Sequence, residues 1–197
     1  MPSISEFTGY KKTYVEIGAA DFDTLLPLSR RGWRGVIVEP VPRFAEALRK
    51  IVDSEGLDVQ IIEAAITTHS GTTKFLESLE QNVVWQKGIS HLKNQDGTRL
   101  LELHANKHIP RREIMVNCLR LDNLLWDICR LQHVGIDFLK MDIEGHELDV
   151  LNDYSWNIKP TMIKIEHKHC SDFSMRTILE KNGYTVWVEN DDMYGIR

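Results

Sequence analysis

The chain lacks the marks of several common special cases. Its three cysteines, Cys118, Cys129 and Cys170, form no C-x-x-C pair, which argues against a disulfide framework and fits reduced, buried thiols in a cytosolic setting. No apolar run approaches the ~20 residues that span a bilayer, and Met1 to Lys12 holds no apolar stretch of signal-peptide type. A cytoplasmic protein without membrane contact is expected. A basic excess is missing too: 24 Lys and Arg against 29 Asp and Glu leave a formal net charge of -5. No global field draws nucleic acid, and the pairs Lys11-Lys12, Arg30-Arg31 and Arg111-Arg112 read as solvated surface. Internal repeats and low-complexity tracts are absent.

What is present is enough for one substantial core: 197 residues, 42% of them hydrophobic, organised as a single domain over 1–197. A first strand is expected over 13–17, then a helix over 22–31 carrying Phe22, Leu25, Leu26 and Leu28 and stopped by Gly32. A continuously apolar strand over 35–38 follows. Pro42 opens a helix with Phe44, Ala45, Leu48, Ile51 and Val52 on one stripe, Gly56 closes it, and a third strand runs over 58–62. Strand, helix, strand, helix, strand with short connections is half of a doubly wound parallel sheet.

After an extra strand over 72–76 the pattern breaks. Residues 78–112 are polar, hold three of the eight histidines and show no steady period; a stretch like this inside a compact domain reads as a lid or acceptor-binding insertion. Regular elements return as strands over 114–118, 136–141 and 161–165. Helices are expected over 121–129, around Leu148 to Leu151, and from a cap at Ser171 or Asp172 to a stop at Asn182-Gly183. A closing hairpin pairs 185–188 with 193–196. The fold class is α/β, a Rossmann-like doubly wound, mostly parallel sheet with an antiparallel C-terminal hairpin.

Nearly every central strand then ends in an acid: Glu16, Glu39, Glu63, Asp142 and Glu166. The C-terminal ends of such strands line one crevice, so the five are expected to converge on one ligand. A dinucleotide needs backbone N–H groups near its pyrophosphate through G-x-G-x-x-G, but the matching positions are Gly18, Ala20 and Asp23, and an acidic rim repels phosphates. S-adenosylmethionine, a cation without phosphates, suits the rim. Glu39, about 20 residues after Gly18, is placed to accept from both ribose hydroxyls. Glu16 and Gly18 would flank the amino-acid end of the cofactor, and Glu63-Ala64-Ala65 would border the adenine.

The strings Val15-Glu16-Ile17-Gly18-Ala19-Ala20, Val38-Glu39-Pro40, Gly71-Thr72-Thr73-Lys74-Phe75 and above all Leu139-Lys140-Met141-Asp142-Ile143-Glu144-Gly145-His146-Glu147 resemble the FkbM family of S-adenosylmethionine-dependent methyltransferases. The resemblance covers roughly residues 13–166. It implies a fold of the class I methyltransferase type and a cofactor site drawn from Glu16, Gly18, Ala19, Ala20, Asp21, Glu39, Pro40, Glu63, Ala64 and Asp142. It also implies methyl transfer to a hydroxyl oxygen on a sugar or other small metabolite. The chain departs from the family pattern with Glu rather than Asp at Glu16 and with Ala20 and Phe22 where Asn and Gly are usual, so Asp21 or Asp23 stands in for those contacts.

Methyl transfer from a sulfonium is an in-line displacement, and a base need only help remove the hydroxyl proton. Asp142, Glu144 and His167 are the catalytic candidates, with His146 and Glu166 beside the same edge. Glu144 has a competing role as a cap-region acid of the following helix. His104 and His108 have i, i+4 spacing and His167 and His169 lie near one another in sequence, but without an H-E-x-x-H pattern no metal is expected. Lys87, Lys93, Arg99, Lys107, Arg111 and Arg112 fit an anionic acceptor and plain solubility equally well. Two other readings stand beside the enzyme: a catalytically inactive cofactor-binding or regulatory protein of the same fold, and a nicotinamide-dependent oxidoreductase, which the missing glycines disfavour.

Overall fold

Short β-branched and apolar runs, each followed by a polar or glycine turn and an amphipathic stretch, fold into a parallel sheet covered on both faces. A computed structural model describes residues 11–20, 24–80, 90–92, 110–132, 135–168 and 170–197. The first half runs β1 (Thr13–Ile17), α1 (Leu26–Ser29), β2 (Arg34–Val38), α2 (Pro42–Glu55) and β3 (Val59–Ile62). A second group follows: β4 (Ala65–Thr67), β5 (Gly71–Ser78), β6 (His91–Leu92) and β7 (Arg111–Arg120). The chain then returns through α3 (Leu121–Gln132), β8 (Phe138–Met141), α4 (Glu147–Asp153), β9 (Met162–Glu166), α5 (Asp172–Lys181), β10 (Thr185–Glu189) and β11 (Asp192–Ile196).

Seven strands form the main sheet in the order β10-β11-β9-β8-β1-β2-β3. Strands β3, β2, β1, β8 and β9 are parallel, while β11 is antiparallel to both β9 and β10. The order turns at β1, from which β2 and β3 run to one side and β8 and β9 to the other, and a ligand crevice is expected at such a switch point. Register aligns the ends: Ile17 pairs with both Val38 and Met141, Val38 with Ile62, and Met141 with Ile165. The next residues, Gly18, Glu39, Glu63, Asp142 and Glu166, therefore form one row.

Period-two alternation divides the side chains between two layers. Val15, Ile17, Val36, Val38, Leu139, Met141, Ile163 and Ile165 pack with Leu121, Leu125, Val150, Leu151, Met175 and Leu179 of α3, α4 and α5. Tyr14 and Ile37 face the other way, onto Leu26 of α1 and Leu48 and Val52 of α2. Gly35 makes room there, since a Cβ would come within 2.4 Å of the Tyr14 ring, and the Tyr14 hydroxyl pairs with Ser29 Oγ at 2.9 Å.

Two sequence expectations change. The helix expected over 22–31 is the single turn Leu26–Ser29, because Pro27 sits in its first turn and Gly32 leaves with a φ of 88°; Phe22 lies outside the described residues. The extra strand is part of a four-stranded sheet, β4-β7-β5-β6, whose parallel β4 was not foreseen. Its Phe75, Val116 and Cys118 pack with Val41 and Phe44 and against Ala20. Most of 78–112, namely 81–89 and 93–109, lies outside the described residues, as do His104 and His108. Among the described residues no helix is long and apolar enough to cross a membrane.

The sheet and its crevice meet at Gly18. Its N–H donates to Val38 O at 2.9 Å, its φ is 75°, and a Cβ would stand 1.7 Å from the backbone oxygen of Asp142. Replacing Gly18 by Ala adds left-handed strain to a backbone clash, so Gly18→Ala is expected to destabilise the fold by about 3 kcal/mol, read from denaturant unfolding.

Candidate functional site

Strand alternation decides where each acid points. Glu16 lies one residue inside the row, directly opposite Lys140 in the β1/β8 register. Both are buried, and Lys140 Nζ stands 3.1 Å from Glu16 Oε1. Glu16 Oε2 accepts from the Leu25 N–H at 2.8 Å and so caps the start of α1. Glu16 thus serves the fold beneath the crevice and does not extend into it.

Glu39 ties two loops together. Its Oε2 accepts from Ala20 N–H and its Oε1 from Val41 N–H, both at 2.8 Å, and only 3% of the residue is exposed. Ala20 is held at a φ of 47°, a left-handed conformation that an Asn or Gly adopts more readily. Ala19 is buried in the core, Pro40 is half-buried, and Asp21 lies outside the described residues. Glu63 turns outward to Arg49 on α2 at 3.2 Å, and Ala64 is core. The expectation that five acids share one crevice is therefore corrected: strand ends align, but Glu16 and Glu63 are spent elsewhere.

The convergence lies at β8 and β9. Asp142 continues the ladder by donating its N–H to Ile17 O at 2.9 Å. The chain then turns through Glu144 and Gly145, with φ of 56° and 95°. Glu147 holds this turn: Oε1 accepts from Ile143 N–H at 2.7 Å and Oε2 from Gly145 N–H at 2.9 Å. The capping role expected for Glu144 thus belongs to Glu147, a residue sequence reasoning passed over although an acid at the first position of a helix is its signal. One carboxylate oxygen each from Asp142, Glu147 and Glu166 lies within 4.8 Å of the other two.

Crowding acids away from water favours their neutral forms. Burial, with the neighbouring Asp142, Glu166 and Glu147 carboxylates, raises Glu144 well above the usual carboxylate range. Burial first and the Asp142 and Glu147 charges second push Glu166 up to about 8, and burial lifts Glu147 to about 7. The Cys170 thiol, 3.4 Å from Glu147 Oε2, is pushed up to about 12 by burial and then by that carboxylate, so it remains a thiol at neutral pH. Such a group of carboxylates can share protons or hold a cation.

His167 follows directly on β9. Its Nδ1 lies 2.5 Å from Asp172 Oδ1 and its Nε2 3.3 Å from the carbonyl oxygen of Asn190. These two contacts join the end of β9 to Asp172 at the start of α5 and to the hairpin turn. His146 contacts Asp149 at 3.2 Å, and burial, with His69 nearby, holds its pKa below the ordinary histidine value.

Comparison with known proteins agrees with this layout. Residues 16–186 match the methyltransferase FkbM domain. Over 84 residues the chain is 33% identical to Methyltransferase 1 of Beauveria bassiana (strain ARSEF 2860), covering 41% of this chain and 33% of that relative. Monomeric WbdD superposes with a TM-score of 0.52 at 10% identity, over 98% of this chain and 38% of WbdD. Magnesium protoporphyrin IX methyltransferase (ChlM) from Synechocystis PCC 6803, solved with bound SAM, gives a TM-score of 0.52 at 8% identity, over 98% of this chain and 74% of ChlM. The chain thus spans about a third of the curated relative, and the two structural likenesses establish the doubly wound methyltransferase fold.

The raised carboxylates have a consequence for stability. Because Glu166 and Glu147 hold their protons to about 8 and about 7 in the fold against an ordinary 4.5, their contribution is complete below pH ~4.5 and is lost as pH rises through 7 to 8. In chelator, the melting temperature is expected to fall from pH 5 to pH 9, and Glu166→Gln to flatten part of that fall in a calorimetric scan.

Proposed function

The chain belongs to the FkbM methyltransferase family, and from that membership we propose that it transfers a methyl group from S-adenosylmethionine to a hydroxyl oxygen of a small acceptor, a sugar or another metabolite. One observation carries the reading: Gly18, Glu39 and Asp142 stand in a single row at the switch point of the sheet, with no Cβ between the first strand's exit and Asp142. That backbone approach supports a ligand lying across Gly18 to Ala20.

The residues present fit the cofactor. Glu39, held at the end of β2 by the N–H groups of Ala20 and Val41, is an acid at the place where ribose hydroxyls are received in such folds. Gly18, Ala19, Ala20 and Pro40 would border the cofactor, Ala64 supports them from the core, and Asp142 would face the cofactor methyl. When bound, the cofactor supplies an electrophilic methyl group on a positively charged sulfur. The chain's own part is to align an acceptor oxygen, exclude water and receive the hydroxyl proton. Glu144 suits proton receipt, since a carboxylate whose basicity is raised by burial is better matched to a hydroxyl than an ordinary one, and Asp142 stands beside it at the exit of β8. Residues 78–112, which leave and rejoin the small sheet at Ser78 and Arg111, are proposed as the acceptor-binding insertion.

A catalytically inactive protein of this fold is the competing reading, favoured by Ala20 at a position of positive φ. Calorimetric titration separates them from a nicotinamide enzyme: S-adenosylmethionine and S-adenosylhomocysteine are expected to bind and NAD not, and the reverse pattern overturns the proposal. Glu39→Ala should weaken binding of either adenosyl compound at least tenfold, by roughly the 1.5–3 kcal/mol of hydrogen bonds to a charged acceptor. Transfer of labelled methyl to an acceptor panel should be abolished in Asp142→Ala, whereas cofactor binding without transfer to any hydroxyl compound would favour the inactive reading.

A further inference from the structure

We propose that Asp142, Glu147 and Glu166 form a divalent-cation site at the C-terminal edge of β8 and β9. Their three ligand oxygens lie within 4.8 Å of one another, brought there from two adjacent parallel strands and the first turn of α4. The donor set is oxygen alone, which selects a hard ion of the Mg2+ or Mn2+ kind over Zn2+ or Cu2+. A meeting of acids is common without an ion, so the weight falls on a second observation. Glu166 is half-buried, and its Oε2 is closed off from solvent and meets no donor among the described residues. Other strand-end acids at this edge have backbone or side-chain partners in place, as Glu39 and Glu63 do. A buried carboxylate oxygen without a donor costs free energy until something binds it.

The surroundings favour an ion over a side-chain cation. Lys140 is committed to Glu16, one residue below the row of strand ends. Lys168, which acts on Glu166 from a distance, is exposed and pairs with Asp191 at 3.4 Å. Glu147 is pre-oriented as a ligand: Oε2 takes Gly145 N–H and the Cys170 thiol, while Oε1 takes Ile143 N–H and is the oxygen with room for an ion. Three protein oxygens leave about three further positions on an octahedral ion. Resting on the methyltransferase reading above, one of these is the place for the acceptor's hydroxyl oxygen, which brings that oxygen next to Asp142 and the cofactor row. The cation site itself does not depend on that reading.

The test uses the full chain, stripped with EDTA and dialysed at pH 8. Mn2+ is titrated with the free ion followed by electron paramagnetic resonance, and Mg2+ is used as competitor. One Mn2+ per chain, bound with a dissociation constant at or below ~1 mM and displaced by Mg2+, is expected. Glu166→Gln should weaken it by roughly tenfold or more while the melting curve stays cooperative. Asp142→Asn is the second variant and carries the test if Glu166→Gln does not fold. No Mn2+ bound up to about 10 mM, or equal binding in the wild type and both folded variants, overturns the site. S-adenosylhomocysteine titrated into the same preparations keeps the two readings apart: bound cofactor product without Mn2+ removes the cation site alone, and bound Mn2+ without it removes the methyltransferase reading alone.

Discussion

The buried ion pair between Glu16 and Lys140 is the interaction on which the arrangement turns. It joins β1 to β8 at the position where the strand order reverses, and it sits one residue below the row of strand ends. Removing two charges from water is costly, and the pair is tolerable because the geometry is close and because Glu16 also caps α1 through Leu25. Its value is specificity of register. A slip of one residue between β1 and β8 would leave both charges facing apolar layers, and it would carry Gly18 away from Asp142. The crevice is therefore set from beneath by charges that never reach it.

Above that pair, acids of similar appearance are divided by environment into three kinds of work. Glu39 is a clamp, spanning the loops after β1 and β2 through two backbone amides. Glu63 is an exposed partner for Arg49. Glu144, Glu147 and Glu166 crowd with Asp142 at the ends of β8 and β9, where burial and neighbouring charges raise all three glutamates above the usual carboxylate range. The last group gathers carboxylates whose burial favours the bound proton.

Much of this was legible in the residues. The parallel core follows from short continuous apolar runs, as at 35–38, and from the amphipathic stripe of Phe44, Ala45, Leu48 and Val52, all of them buried. Ser171 caps α5 through Ser174 N–H, and the hairpin of β10 and β11 lies where the alternation placed it. What escaped depends on contacts between distant segments. Period two alone says that Glu16 and Ile17 point to opposite layers, yet only the partner strand reveals that Lys140 awaits Glu16. Glu63 looked equivalent to Glu39, and only the proximity of Arg49 distinguishes them. The short strand β4 has three residues and no alternation to betray it. Pro27 stands in the single turn of α1, and Leu25 and Leu28 around it pack on the core without lengthening the helix.

The packing of the small sheet on the cradle has an evolutionary consequence. Phe75, Val116 and Cys118 press on Val41 and Phe44 with Ala20 against the same cluster, so the loop after β1 has no shape independent of a sheet inserted some fifty residues later in the chain, at Gly71–Ser78. Drift in the insertion and drift in the loop are bound to one another. An unusual side chain at Ala20 is then a record of what its neighbours across the cluster have become, and two lineages of this fold could exchange the whole unit of loop and sheet more readily than either part alone.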